Sequence, residues 1–574
     1  MKTSVFKTYS IYAYAYINQE VSGMFPQEKL DIRLISSLAK VFSDEELQDE
    51  THEHGTMLKN EIYSFQAAYR WNGSLKKHVR VEIKSSLTNC IKIYKVGLVP
   101  SEMPCYYDHD DNILRSTPGL YPDILLPIDC EGLSLLPEQW RSLWVEIVPE
   151  NKVSPGVYPI TISITSEDGI LFGTAEFMME IIAAELPEQE LIYTNWFHTD
   201  CLATWYGVEV FCEEHWRRIE QYVQTAVSHG MNMILTPVFT PPLDTQFGCE
   251  RPTVQLIDVE ANGDKYKFGF SKLKRWFDLC KKNGIKYFEI SHLFTQWGAK
   301  HAPKIICKTC NSEIRIFGWE TDSAGEAYGK FLSQFLPELT HVIKQEGLES
   351  KCFFHVSDEP LLEHMESYAK ASKVIYEHIK DFPVIDALSN YEFYENGLIK
   401  KPIPATDHID EFLKHNVPGL WTYYCCGQYK EVSNRFFNMS SSRNRILGYQ
   451  LYRSDIEGFL HWGYNFWYSQ YSLHAIDPFR TTDADHAFPS GDAFVVYPGE
   501  DGPLISFRLK VFYEALQDLR ALKLLEKLAG REEVIKILEE GLETPITFSQ
   551  YPKEADWLLK KREQINQRIS QHLR

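Results

Sequence analysis

From Ile192 the sequence alternates short apolar runs with amphipathic stretches of helical period, which confines the chain to strands joined by crossover helices. Strand-like runs fall at 193–198, 231–238, 287–293, 352–356, 384–388, 419–425, 458–465 and 493–497. Helical stretches at 213–228, 271–283, 324–346, 361–380, 407–415 and 440–455 separate most of them, and one at 507–528 follows the last. In the first, Trp216, Ile219, Tyr222 and Val223 oppose Glu214, Arg217, Arg218 and Gln221, as an amphipathic helix requires. Eight such units over 191–530 predict a (β/α)8 TIM-type barrel, whose reactive side chains sit at C-terminal strand ends and in the loops after them.

Residues 1–185 read as β. Val79, Val81 and Ile83 alternate with charged residues, 91–96, 143–148 and 158–164 behave alike, and Asn72-Gly73 and Ser154-Pro155-Gly156 supply turns. An antiparallel β-sandwich is expected there, with a charged linker at 185–190 and a C-terminal helical extension at 531–574. The chain is thus multidomain, β followed by α/β, as its 574 residues demand.

A net charge of −20 argues against nucleic acid as a partner, because such binding neutralises phosphates with cations. No run approaches the roughly 20 apolar residues of a membrane span, and the residues after Met1 offer no signal-peptide core. The 12 cysteines are scattered, and adjacent Cys425-Cys426 suits free thiols, so a cytoplasmic location is expected. Oligomeric state is left open.

The sharpest chemical signal is His355-Val356-Ser357-Asp358-Glu359-Pro360, two consecutive acids closing an apolar strand. Buried carboxylates are costly and need a reason. One is structural: an acid or Ser357 capping the helix after Pro360. The other is catalytic, and requires the backbone to leave strand geometry so that neighbouring side chains reach one site. Pro360 favours that by restraining Glu359 away from the α region.

This pair resembles the active-site motif of glycoside hydrolase family 123, the retaining β-N-acetylgalactosaminidases. Trp196-Phe197-His198-Thr199-Asp200, Gly491-Asp492 through Tyr497-Pro498-Gly499, and Ser506-Phe507-Arg508 strengthen the resemblance, which extends over nearly the whole chain. It implies exo-acting removal of terminal β-linked N-acetylgalactosamine from an oligosaccharide, with no cofactor or metal. Catalysis is then substrate-assisted: the 2-acetamido oxygen attacks the anomeric carbon, Glu359 is general acid/base, and Asp358 orients the acetamido nitrogen.

Sugar-binding candidates are His198 and Asp200 after the first strand, His292 and Trp297 after the third, and Asn390 after the fifth. Tyr423, Tyr424, Trp462, Tyr464, Asn465 and Trp467 supply an aromatic platform of which strand alternation turns half away. Asp492, Tyr497 and Arg508 complete the set, although Arg508 equally suits a structural ion pair. Cys307-Lys308-Thr309-Cys310 lacks a second pair, and Cys249, Cys280 and His301 are irregularly spaced, so a loop of reduced thiols is favoured over zinc. Competing functions are a conventional two-carboxylate glycosidase, pairing Glu359 with Glu289, Asp386 or Asp492, and a non-catalytic glycan-binding barrel.

Overall fold

The computed structural model describes residues 28–149, 153–309 and 312–573. It is a mixed β and α/β protein of two compact units, one holding the described residues up to Gly97 with Leu125–Glu185, the other Leu98–Ile124 and Leu186 onward.

The β-rich N-terminal region carries two five-stranded sheets. One runs in the order Lys29–Ser36, Tyr63–Asn72, Trp140–Ile147, Ile91–Ser101, Gly119–Pro127; the other His54–Leu58, Leu171–Ile182, Gly156–Thr165, Lys76–Lys84, Leu133–Leu135. Period-two burial shows in Leu171–Ile182, where Phe177, Met179 and Ile181 are buried and Glu176, Met178 and Glu180 exposed. Phe65 of the first sheet stacks on Phe177 of the second at 4.0 Å, within a cluster that includes Leu143, Val145, Ile160 and Ile162. The expectation of a wholly antiparallel unit needs one correction. His54–Leu58 runs parallel to Leu171–Ile182, two segments too distant in sequence for a hairpin.

In the second unit we label the parallel strands β1 (Ile192–Asn195), β2 (Met233–Thr236), β3 (Tyr287–Ile290), β4 (Cys352–Phe354), β5 (Ile385–Ala387), β6 (Lys401–Ile403), β7 (Trp421–Tyr423) and β8 (Gly458–His461). Six pair in the order β4-β3-β2-β1-β8-β7, and β5 pairs with β6. Parallel bridges Phe354↔Val384 and Ala405↔Tyr423 join that pair to either edge of the six, so the strands succeed one another round a ring. Met233, Leu235, Phe353, Ile385, Ile403 and Leu460 fill its core.

The sequence misplaced two strands. β6 was missed, being three residues of which Pro402 has no N–H, too short for a period. The run at 493–497 is not a ring strand: Val496–Pro498 forms a hairpin with Pro503–Ile505. Leu98–Ile124, read as part of the first domain, belongs to the second unit because its acids pair there: Asp110 with Arg443 at 2.8 Å and Asp123 with Arg508 at 2.6 Å. The final helix Ala555–His572 buries Leu558, Ile565 and Ile569, and its Arg562 reaches Asp518 of helix Phe507–Ala529 at 2.8 Å. Met1, Cys310 and the residues around Met1 lie outside the described residues.

Candidate active site

After β4 the chain leaves strand geometry at Glu359, whose φ is +44°. A side chain with a Cβ rarely adopts that region, and such outliers gather where function holds them. Two backbone bonds fix the turn: Trp297 N–H donates to the Asp358 carbonyl at 2.9 Å, and Glu359 N–H to the Ala387 carbonyl at 3.0 Å. Neither acid caps the following helix, which begins only with the short turn Leu362–His364. The kink brings Asp358 and Glu359 together into the lining of one cleft of about 180 Å³, walled by Trp196, Trp297, Tyr423, Trp462, Tyr471 and Phe488. Asp244, Gln296, Gln470, Cys425 and Cys426 also line it.

Tyr423 donates its hydroxyl to Glu359 Oε1 at 2.7 Å. Burial pushes the Glu359 carboxyl up, and that hydroxyl holds it back. Asp358 is driven well above the usual carboxylate range, by burial first and by repulsion from Glu359 second. Neighbouring buried carboxyls of this kind compete for a proton. A third carboxyl, Asp244, is raised by burial to about 6 despite accepting the Tyr471 N–H.

Behind the cleft lies a fully buried array. His355 Nε2 meets Glu289 at 3.0 Å and Nδ1 meets Asp386 at 3.1 Å, while the cleft residue Trp196 donates its indole N–H to Glu289 at 2.9 Å. Asp386 also accepts the Tyr368 hydroxyl at 2.6 Å and the Val356 N–H at 3.0 Å. Burial alone would depress the His355 imidazole, but Asp386 and Glu289 carry it to about 9. His292 stacks on His355 at 4.2 Å, with neither ring nitrogen hydrogen-bonded, and burial holds it neutral. Among the described residues His292, His355 and Asp386 are the one grouping close enough to share a metal, within 4.8 Å. Both His355 nitrogens are engaged by carboxylates, which suits an imidazolium better than a ligand. Cys307 is in no such grouping; it is buried and its thiol meets the Lys308 carbonyl at 3.6 Å.

The description "Glycoside hydrolase 123, catalytic domain" matches residues 196–525. The chain belongs to glycoside hydrolase family 123. A solved family 123 glycoside hydrolase from Clostridium perfringens, studied for glycolipid glycan hydrolysis, has the same fold. It shares 17% identity at a TM-score of 0.74, over 95% of this chain and 98% of that one. A Parabacteroides merdae β-glucuronidase is remote: 13% identity, 76% of this chain, 46% of that one, TM-score 0.25. So is a Thermotoga petrophila endo-β-1,4-mannanase, at 13% identity, 59% and 78% coverage and TM-score 0.33. Curated proteins give no match by sequence.

In this family 123 chain the sequence-predicted residues divide sharply. Asp358, Glu359, Trp297, Tyr423 and Trp462 line the cleft. His198 and Asp200 do not: Asp200 is paired with Arg251 at 2.7 Å in full burial, and His198 bonds the Trp462 carbonyl and Arg251. Asn465 is spent on the His198 backbone, Tyr464 on the Tyr222 carbonyl, and Trp467 on the Val496 carbonyl. Tyr424 packs outward on Phe459, opposite Tyr423, as alternation requires. Arg508 and Tyr497 both bind Asp123, and Asn390 and His292 lie off the cleft lining. Asp492 stands one layer back, accepting the Trp462 indole N–H at 2.9 Å, and burial raises it to about 7.

Sequence reasoning missed Trp196, Asp244, Gln296, Gln470, Tyr471 and Phe488. Trp196 stood in a quoted motif, two residues before the His198 chosen instead. The others sit on loops whose conformation carries no periodic signal.

Proposed function

We propose that this family 123 glycoside hydrolase is an exo-acting, retaining β-N-acetylgalactosaminidase using substrate-assisted catalysis. The observation that carries the reading is the convergence of Asp358 and Glu359, adjacent in sequence, on one aromatic-walled cleft. Eight parallel strands in a ring serve as its (β/α)8 barrel, the two facing sheets as its β-sandwich, and the last helices as its extension.

The acetamido carbonyl oxygen attacks the anomeric carbon as the leaving oxygen takes the Glu359 proton. The oxazolinium ion so formed is opened by water, which Glu359 deprotonates, and configuration is retained. Asp358 accepts the acetamido N–H. That bond offsets the cost of its buried charge and sends the proton shared by the pair to Glu359. The two-carboxylate pairings weighed from sequence are disfavoured by burial: Glu289, Asp386 and Asp492 are all absent from the cleft lining. Unpaired thiols throughout the described cysteines accord with a reducing, cytoplasmic setting, and no described helix is long and apolar enough to cross a membrane.

Aryl β-glycosides of N-acetylgalactosamine, N-acetylglucosamine and galactose, with a thiazoline inhibitor, test the reading. Release from the first alone with strong thiazoline inhibition is expected. Equal turnover of the galactoside would remove the acetamido group from the mechanism.

A further inference from the structure

Six arginines are buried among the described residues, and five of them face a carboxylate. Arg251 pairs with Asp200 at 2.7 Å, Arg443 with Asp110 at 2.8 Å, Arg445 with Asp518 at 2.7 Å, Arg508 with Asp123 at 2.6 Å and Arg562 with Asp518 at 2.8 Å. Arg435 is the exception. It is 1% exposed; its Nη2 donates to His461 Nδ1 at 2.7 Å and to the Gly463 carbonyl at 3.0 Å, while its Nε and Nη1 meet no acceptor among the described residues. Of the five guanidinium N–H groups, two are thus spent and three are not. A guanidinium keeps its proton even when buried, so a full positive charge has to be balanced there.

The neighbouring side chains do not balance it. His461 Nδ1 accepts from Arg435 and from the Gly463 N–H at 2.9 Å, which puts the ring proton on Nε2. Burial, with the charges of Arg435 and Arg508, keeps that imidazole neutral. Asp492 reaches only the far side of the ring, its Oδ1 3.4 Å from Nε2, and burial raises its carboxyl to about 7, so near neutral pH it is only partly ionised. Tyr424 adds a donor: its hydroxyl is buried without a partner, and its ring lies 5.4 Å from that of His461. Burial pushes the Tyr424 phenol up, and the Arg435 charge is the first to oppose it. These groups stand on the outer side of β7 and β8, where Phe459 packs on Phe512 of helix Phe507–Ala529 at 5.6 Å. The cleft wall is one layer away, since Gly463 follows Trp462 directly.

We propose that the unspent N–H groups of Arg435, with the Tyr424 hydroxyl, form a buried site for one monovalent anion of halide size, chloride, which neutralises the guanidinium. A single charge is to be balanced by donors closed off from solvent, and a divalent oxyanion would bury a second charge without a partner. The site stands whatever sugar the cleft takes.

The test is thermal melting of the full chain in sodium chloride, sodium bromide and sodium methanesulfonate at one ionic strength. An ion bound by the native state alone raises the midpoint as its concentration rises. Chloride and bromide should do so, and methanesulfonate, too large for the site, should not. Tyr424→Phe should weaken half-saturation by about twofold to tenfold, the loss of one hydrogen bond, and Arg435→Leu, which removes charge and site together, should abolish the halide effect. Crystals grown in bromide should carry an anomalous peak within hydrogen-bond reach of Arg435 Nε and Nη1. Equal midpoints in chloride and methanesulfonate, a halide effect that survives Arg435→Leu, or water alone at that position in bromide crystals would overturn the proposal. Should Arg435→Leu fail to fold, the bromide crystal of the wild type decides.

Discussion

The Tyr423 hydroxyl donates to Oε1 of Glu359 at 2.7 Å from the end of β7, across the ring from the strand that carries the acid. A phenol in that position stabilises the carboxylate over the carboxylic acid, so it sets how tightly Glu359 holds its proton. Tyr423→Phe should therefore raise the Glu359 pKa and move the alkaline limb of kcat/KM to higher pH. A hydrogen bond to a charged group is worth about 1.5–3 kcal/mol, which corresponds to one to two pH units. An unmoved alkaline limb on the natural glycan would detach Glu359 from acid catalysis.

The two acids are expected to fail differently. Glu359→Gln should lose about 10²- to 10⁴-fold on substrates with poor leaving groups and much less on activated aryl glycosides, where little protonation is needed. Asp358→Asn should lose activity on both, since the acetamido group is misoriented whatever the leaving group. Steady-state kinetics on the two substrate classes separates these outcomes, and near-normal turnover by either variant on both would refute the assigned roles.

The Glu289–His355–Asp386 array makes stability depend on pH in a definite direction. His355 in the folded protein sits at about 9, above its ordinary 6.5. Its contribution is thus fully present below about pH 6.5 and is lost as pH rises through about 9. A shift of that size corresponds to at most about 3 kcal/mol. Chemical denaturation of wild type and His355→Gln at pH 6 and pH 10 should show a gap that narrows at the higher pH; a gap that widens would show the ring to be neutral.

Arg508 tests the difference between a binding and a bracing residue. It is buried against Asp123 at 2.6 Å and also donates to the Gly491 and Phe494 carbonyls. Arg508→Ala should destabilise by about 3–5 kcal/mol, because the buried Asp123 carboxylate loses its guanidinium partner and retains the neutral Tyr497 hydroxyl. Replacing both by apolar residues, Arg508→Leu with Asp123→Leu, should restore part of the loss in a thermal melt. A variant with normal melting and a raised KM would return Arg508 to the substrate.

The Asp358–Glu359 pair was legible as a candidate because its signal is local: two acids, an apolar strand and a proline lie within one short stretch of chain. Which aromatic faces inward was not. Tyr423 and Tyr424 are adjacent, and only the register of β7 turns the first into the cleft and the second onto Phe459. Asp200 looked like a ligand for a hydroxyl because its partner, Arg251, is 51 residues away. Asp244, Trp297, Tyr471 and Ser472 stand at positive φ, and residues of these types give no sign of that conformation in sequence, as a glycine would. β6 escaped notice because three residues around a proline have neither period nor propensity.

The interleaving of Leu98–Ile124 with the second unit bears on how the protein can be made. Asp110 and Asp123 leave the ribosome early, whereas their guanidinium partners follow 333 and 385 residues later. A gene fragment starting at Leu186 would include Asp358 and Glu359 yet leave Arg443 and Arg508 without the Asp110 and Asp123 carboxylates they pair with. Nascent chains must likewise keep that acidic segment available until synthesis is almost finished, so the hydrolase matures late and as a whole.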